Sequence, residues 1–147
     1  MPARRPPSVI LELHSADRLI RTVVVEAFGR AGLRPGLFAI LALIAIHEPV
    51  TPTRLGEESG VRPTTLRDMI AEMTAAGHVR RVENEADRRS YFLETTEGGK
   101  DFLRRADPIV RDLEAELERE LGGPVEDLRE PLQRIRRAAQ ALWSLGL

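Results

Sequence analysis

Residues 51–77, TPTRLGEESGVRPTTLRDMIAEMTAAG, decide the fold. Thr51 stands just before Pro52, which suits a helix start: the hydroxyl takes an amide with no helical partner, and proline's missing N–H costs nothing at the first position. Gly60 closes that short helix after Ser59. Pro63 opens another, carrying Leu66, Met69, Ile70 and Met73 on one face and ending at Gly77. Two short helices about a glycine-containing turn predict a helix-turn-helix.

Reading outward toward the carboxyl terminus, the period changes from helical to extended. His78 to Val82 and Ser90 to Thr95 read as strands around the charged, turn-prone Asn84-Glu85-Ala86-Asp87-Arg88-Arg89, a hairpin with an exposed tip. Phe102, Ala106, Ile109, Leu113, Leu117 and Leu121 then recur at steps of four and three, as do Leu128, Leu132, Ile135, Ala139, Leu142 and Leu145 beyond the Gly122-Gly123-Pro124 break. Toward the amino terminus, Leu37 to Ile46 reads as a buried helix after the punctuation of Pro35 and Gly36. Val9, Leu13, Ala16, Ile20, Val23 and Ala27 stripe a long helix that stops near Gly29 to Gly32. The predicted class is mainly α with a small β-hairpin wing: a winged helix-turn-helix plus a helical dimerisation region.

The 147 residues suit a single domain, 1–147, with a lobe at 37–99 and dimerisation helices at 8–30 and 100–147. Those flanking helices carry more apolar face than a lobe this small can cover, so a second copy is expected, and Trp143 reads as an interface or core anchor. No apolar run approaches the ~20 residues that span a bilayer, and MPARRPPSVI lacks the layout of a signal peptide, so a cytoplasmic location with no membrane partner is expected. Zero cysteines exclude thiolate metal sites and a thiol switch, and His14, His47 and His78 show no metal-ligand spacing; no metal or cofactor is expected. Glu114, Glu116, Glu118 and Glu120 alternate, so on a helix they point to different sides and form a solvated face. With no Ser-His-Asp arrangement, phosphate-binding glycine loop or H-E-x-x-H, the chain reads as no enzyme.

A net charge of −1 makes nucleic-acid binding a matter of local arrangement. On the second helix of the pair, the amino-terminal end is the reading end. Thr64 and Thr65 can bond phosphate or a base edge there, Arg67 can reach a guanine or phosphate, and Arg62 with the helix terminus adds an anion site. Arg88 and Arg89 at the hairpin tip suit a minor groove or its phosphates. A symmetric dimer would set two such helices ~34–36 Å apart, one turn of duplex, and so bind a near-palindromic site. The alternative is a winged-helix module that binds protein and not DNA.

From about Leu37 to Gly99 the sequence resembles the MarR family of bacterial transcriptional regulators. The wing segment DRRSYFLETTEGG, Asp87 to Gly99, matches that family's Asp-x-Arg wing, strand and Thr-x-x-Gly turn into a long helix. PTTLRDMIAEMTAAGHVRR, Pro63 to Arg81, is similar to its recognition helix. The resemblance implies that Asp87 orients Arg89 for DNA contact. It also implies a repressor-type homodimer released by a small aromatic or phenolic effector, for which His14, Phe38 and His47 are nominated. Three positions depart from the pattern: Thr95 replaces an apolar strand residue, Arg88 a wing glycine, and Asp68 a basic residue on the reading helix.

Overall fold

In the computed structural model, which describes residues 8–146, six α-helices and one two-stranded antiparallel hairpin follow in the order α1 (Val9–Arg30), α2 (Pro35–His47), α3 (Pro52–Ser59), α4 (Pro63–Ala75), β1 (Val79–Glu83), β2 (Tyr91–Thr95), α5 (Glu97–Leu121) and α6 (Arg129–Ser144), with a 3₁₀ turn at Val125–Leu128 before α6. Most of the proline-rich lead, on which the absence of a signal peptide was read, lies outside the described residues. Among the described residues no single helix is long and apolar enough to cross a membrane.

The described residues divide into two compact units, which meet between residues 35 and 36. The first is essentially α1. It ends where glycines 29 and 32 predict: Gly32 takes a positive φ of 69°, its amide donates to the Gly29 carbonyl at 3.1 Å, and the Leu33 amide donates to the Phe28 carbonyl at 3.0 Å. This pattern satisfies the last carbonyls of a helix and needs a residue tolerant of the left-handed region. Along α1, Ile10, Leu19, Ile20, Val23 and Val25 are exposed.

The second unit holds a closed core. Leu37, Ile40, Leu41 and Ile44 of α2, Leu55 of α3, Leu66, Ile70 and Met73 of α4, Val79, Leu93 and Phe102 are all buried. Each such side chain is worth roughly 1.5–3 kcal/mol relative to exposure, which makes this cluster the source of the lobe's stability. α2 begins at Pro35, two residues earlier than the punctuation reading, because proline's fixed φ suits a first helical turn. The Thr51 hydroxyl caps α3 by accepting from the Arg54 amide at 3.3 Å, and Gly60 ends it at φ 68°.

The hairpin is in regular register from Val79↔Thr95 to Glu83↔Tyr91. Thr95 does not disturb it. Its amide and its hydroxyl both donate to Glu48 Oε2, at 2.7 and 2.8 Å, so the buried hydroxyl has a partner. Arg88 does not disturb it either: among the described residues no non-glycine residue has a positive φ, so arginine fits where a glycine was expected. The Thr-x-x-Gly turn has a physical cause. Thr96 Oγ1 accepts from the Gly99 amide at 3.1 Å and donates to the Gly77 carbonyl. A Cβ on Gly99 would lie 2.2 Å from the His78 carbonyl oxygen, so only glycine lets α5 start against β1. α5 is buried at Phe102 and Ala106 but leaves the core beyond them, and Leu121 is exposed.

Candidate nucleic-acid interface

The reading end of α4 is built by burial on one side and exposure on the other. Leu66, Ile70 and Met73 are at most 3% exposed and fix the helix to the core. Thr64, Thr65, Arg67 and Asp68 are exposed, as helical spacing requires of residues flanking such a stripe. Arg62 occupies the cap position in extended conformation, and its side chain makes no capping bond. The first amides of α4 therefore remain donors without helical partners, and the Arg62 guanidinium stays available beside them.

The wing tip is shaped by two side-chain acceptors. Asn84 Oδ1 accepts from the amides of Ala86 and Asp87 at 3.2 and 3.3 Å, and Asp87 Oδ1 accepts from the Arg89 amide at 3.1 Å. Asp87 thus acts on the backbone of Arg89. This bond fixes the backbone of the turn at Arg89. Below the tip, Arg80 donates to Glu94 Oε2 at 2.6 Å across the strands, and Arg81 lies over the Tyr91 ring at 4.6 Å. The strand arginines are committed to the hairpin itself. Among the described residues none of Arg62, Arg67, Arg88 and Arg89 lies in an ion pair, whereas Arg104, Arg111, Arg119 and Arg129 on the outer helices each face a carboxylate.

A cavity of about 850 Å³ lies between α3, α4, the wing and the end of α6, lined among others by Val61, Leu66, Arg67, Arg89, Tyr91 and Trp143. Of the sequence-nominated DNA residues it brings together Arg67 and Arg89; Arg62, Thr64, Thr65 and Arg88 lie outside its lining. None of His14, Phe38 and His47 lines it. His14 is on α1, and Phe38 and His47 sit near opposite ends of α2, about 13 Å apart at 1.5 Å per residue. His47 faces Glu58, Nε2 to Oε2 at 3.9 Å.

Sequence reasoning missed what α6 does here. Gln140 Nε2 donates to the Glu57 carbonyl at 2.8 Å, Arg136 lies 3.8 Å from Glu58, and a Cβ on Gly60 would meet Trp143 Cζ3 at 4.0 Å. Residues 83 positions apart carry no local signal of such a contact. The spacing of 136, 140 and 143 on one helical face was the only hint.

A helix held by its apolar stripe, with donors at its exposed amino end and a two-stranded wing beside it, defines a winged helix-turn-helix. Residues 31–90 match the model of the MarR family. The HTH-type transcriptional regulator PapX of Escherichia coli is 22% identical over 91 residues, 60% of this chain, and the match spans 56% of that relative's length. Among solved structures, the M. tuberculosis transcriptional regulator MOSR in complex with DNA is 27% identical with a TM-score of 0.75, covering 92% of this chain and 98% of that one. The transcriptional regulator SlyA has the same fold at 19% identity, with a TM-score of 0.77 over 96% of this chain and all of that one. The resemblance read from the wing and recognition helix is borne out to this extent: residues 31–90 match the MarR family model, and the chain has the fold of the solved transcriptional regulators of that family.

Proposed function

We propose that this chain is a sequence-specific DNA-binding transcriptional regulator, a repressor that acts as a homodimer on a near-palindromic operator. The observation that carries this reading is the reading end of α4, where Thr64, Thr65 and Arg67 are exposed beside unpartnered amides, with Arg67 and Arg89 of the wing lining one cavity. Arg67 is assigned to a base edge and Thr64 and Thr65 to phosphate or base edges. Arg62, Arg88 and Arg89 are assigned to the backbone or minor groove, with Asp87 holding the turn that aims Arg89. The solved relative in complex with DNA supports the DNA-binding reading.

The homodimer is supported by unspent apolar surface. Leu132, Ile135 and Leu142 of α6 are 55, 41 and 52% exposed, a stripe that water would not leave uncovered on a stable lone subunit. Release by a small aromatic or phenolic effector is the regulatory half of the reading. The 850 Å³ cavity falls within the range of small-molecule pockets, and the aromatic rings of Tyr91 and Trp143 line it along with the two arginines. An occupant there would compete with the duplex.

Selection of bound sequences from random duplex DNA, followed by footprinting, tests the proposal. The expected result is an enriched palindrome whose half-sites lie one helical turn apart. A protein-binding winged helix would enrich nothing, and the exposed Asp68 on the reading face is the residue that would then explain the failure.

A further inference from the structure

Helix α6 presents two neighbouring stripes. Leu132, Ile135, Ala139 and Leu142, spaced by three and four, form the exposed apolar one, which Leu128 of the preceding 3₁₀ turn extends. Arg136, Gln140 and Trp143 form the other: Arg136 and Gln140 reach Glu58 and Glu57 at the carboxyl end of α3, and the Trp143 ring lies beside the turn that leads into α4, 4.0 Å from where a Cβ on Gly60 would stand. That turn is only residues 60–62. From inside it is held by the Gly60 amide on the Gly56 carbonyl at 2.9 Å and by the Val61 amide on Ser59 Oγ at 3.2 Å. Glu57 contributes one of the last four carbonyls of α3, which lack partners within the helix. Gln140 supplies the missing donor from α6.

We propose that Gln140 and Trp143 are positioning residues, which tie the angle of the reading helix to the helix that pairs the two subunits. The inference rests on the DNA-binding dimer proposed above. The physical chain is short. The apolar stripe fixes α6 against the second copy, the adjacent stripe grips the α3–α4 turn, and the first residue of α4 follows that turn directly. The distance between the two reading ends is therefore set through Gln140 and Trp143. The α2–α4 core fixes the shape of each lobe and leaves this distance open.

The test uses the full chain and its Gln140→Ala and Gln140→Lys variants; lysine keeps an N–H donor for the carbonyl. Three readouts are taken: mass by sedimentation, acrylamide quenching of Trp143, the sole tryptophan, and affinity for selected duplexes whose half-site spacing is varied in single base-pair steps. In Gln140→Ala the mass is expected to stay that of the wild type while Trp143 quenching rises. Affinity at the preferred spacing should fall about fivefold, the size expected for one hydrogen bond, and the spacing profile should flatten. Gln140→Lys should restore both. The proposal is overturned if Gln140→Ala keeps the wild-type quenching and spacing profile, or if it becomes monomeric, since Gln140 would then belong to the subunit interface. A wild-type chain that ignores every duplex overturns the DNA reading and the positioning role with it, while the quenching comparison still decides whether α6 holds the turn.

Discussion

In the winged-helix core Leu41, Ile44, Leu55, Met73 and Leu93 are fully buried, whereas on α6 Leu132 is 55% and Leu142 52% exposed. The core helix α2 is apolar on every side, whereas α6 is a largely polar helix with a single apolar stripe, and what its leucines lack is closure. The core is complete within one chain and stabilises itself. α6 leaves its apolar stripe uncovered, an unfinished layer that the proposed second copy would complete.

Substitutions in each region should therefore fail in different ways. The largest effect is expected from Gly99→Val, because any Cβ meets the His78 carbonyl oxygen at 2.2 Å. Folding itself should be lost, at a cost above ~3 kcal/mol, seen as the absence of a cooperative thermal transition. Next comes the pair Leu132→Glu with Ile135→Glu. In the proposed dimer, two-fold symmetry would make this four side chains lost from the interface, on the order of 6 kcal/mol of association. Sedimentation should report a single chain, with far-UV circular dichroism unchanged. Were this variant to unfold as Gly99→Val does, the distinction between closed core and unfinished layer would be lost.

Smaller effects divide the interface. Arg67→Ala should cost ~1–3 kcal/mol at one base position and relax preference there, measured by competition among duplexes that differ at a single pair. Arg89→Ala should weaken binding to all duplexes alike and lower the salt slope by ~0.9, one phosphate contact. Equal losses from both on specific and random DNA would remove the base-reading role from Arg67.

The helix-turn-helix was legible because its signals are local: Thr51-Pro52, Gly60, Pro63 and the α4 stripe each act within one turn of the chain. The wing was legible as a hairpin, and the glycine of its closing turn was visible in the sequence. The reason for that glycine, a carbonyl 2.2 Å away, needed three dimensions. Thr95 looked like a defect until Glu48, 47 residues earlier, was placed against it. The partner of Gln140 was illegible for the same reason: the spacing of 136, 140 and 143 marks a face of α6 without telling what it meets 83 residues away. Asp87 was read as a partner of Arg89, and the structure refines this to the Arg89 amide.

The most direct test is the dependence of duplex affinity on salt. A dimer gripping phosphates with Arg62, Arg88 and Arg89 from each copy predicts a steep line of log affinity against log salt, falling by ~0.9 for each contact released. A slope near zero would contradict the account and assign the exposed end of α4 to a protein partner.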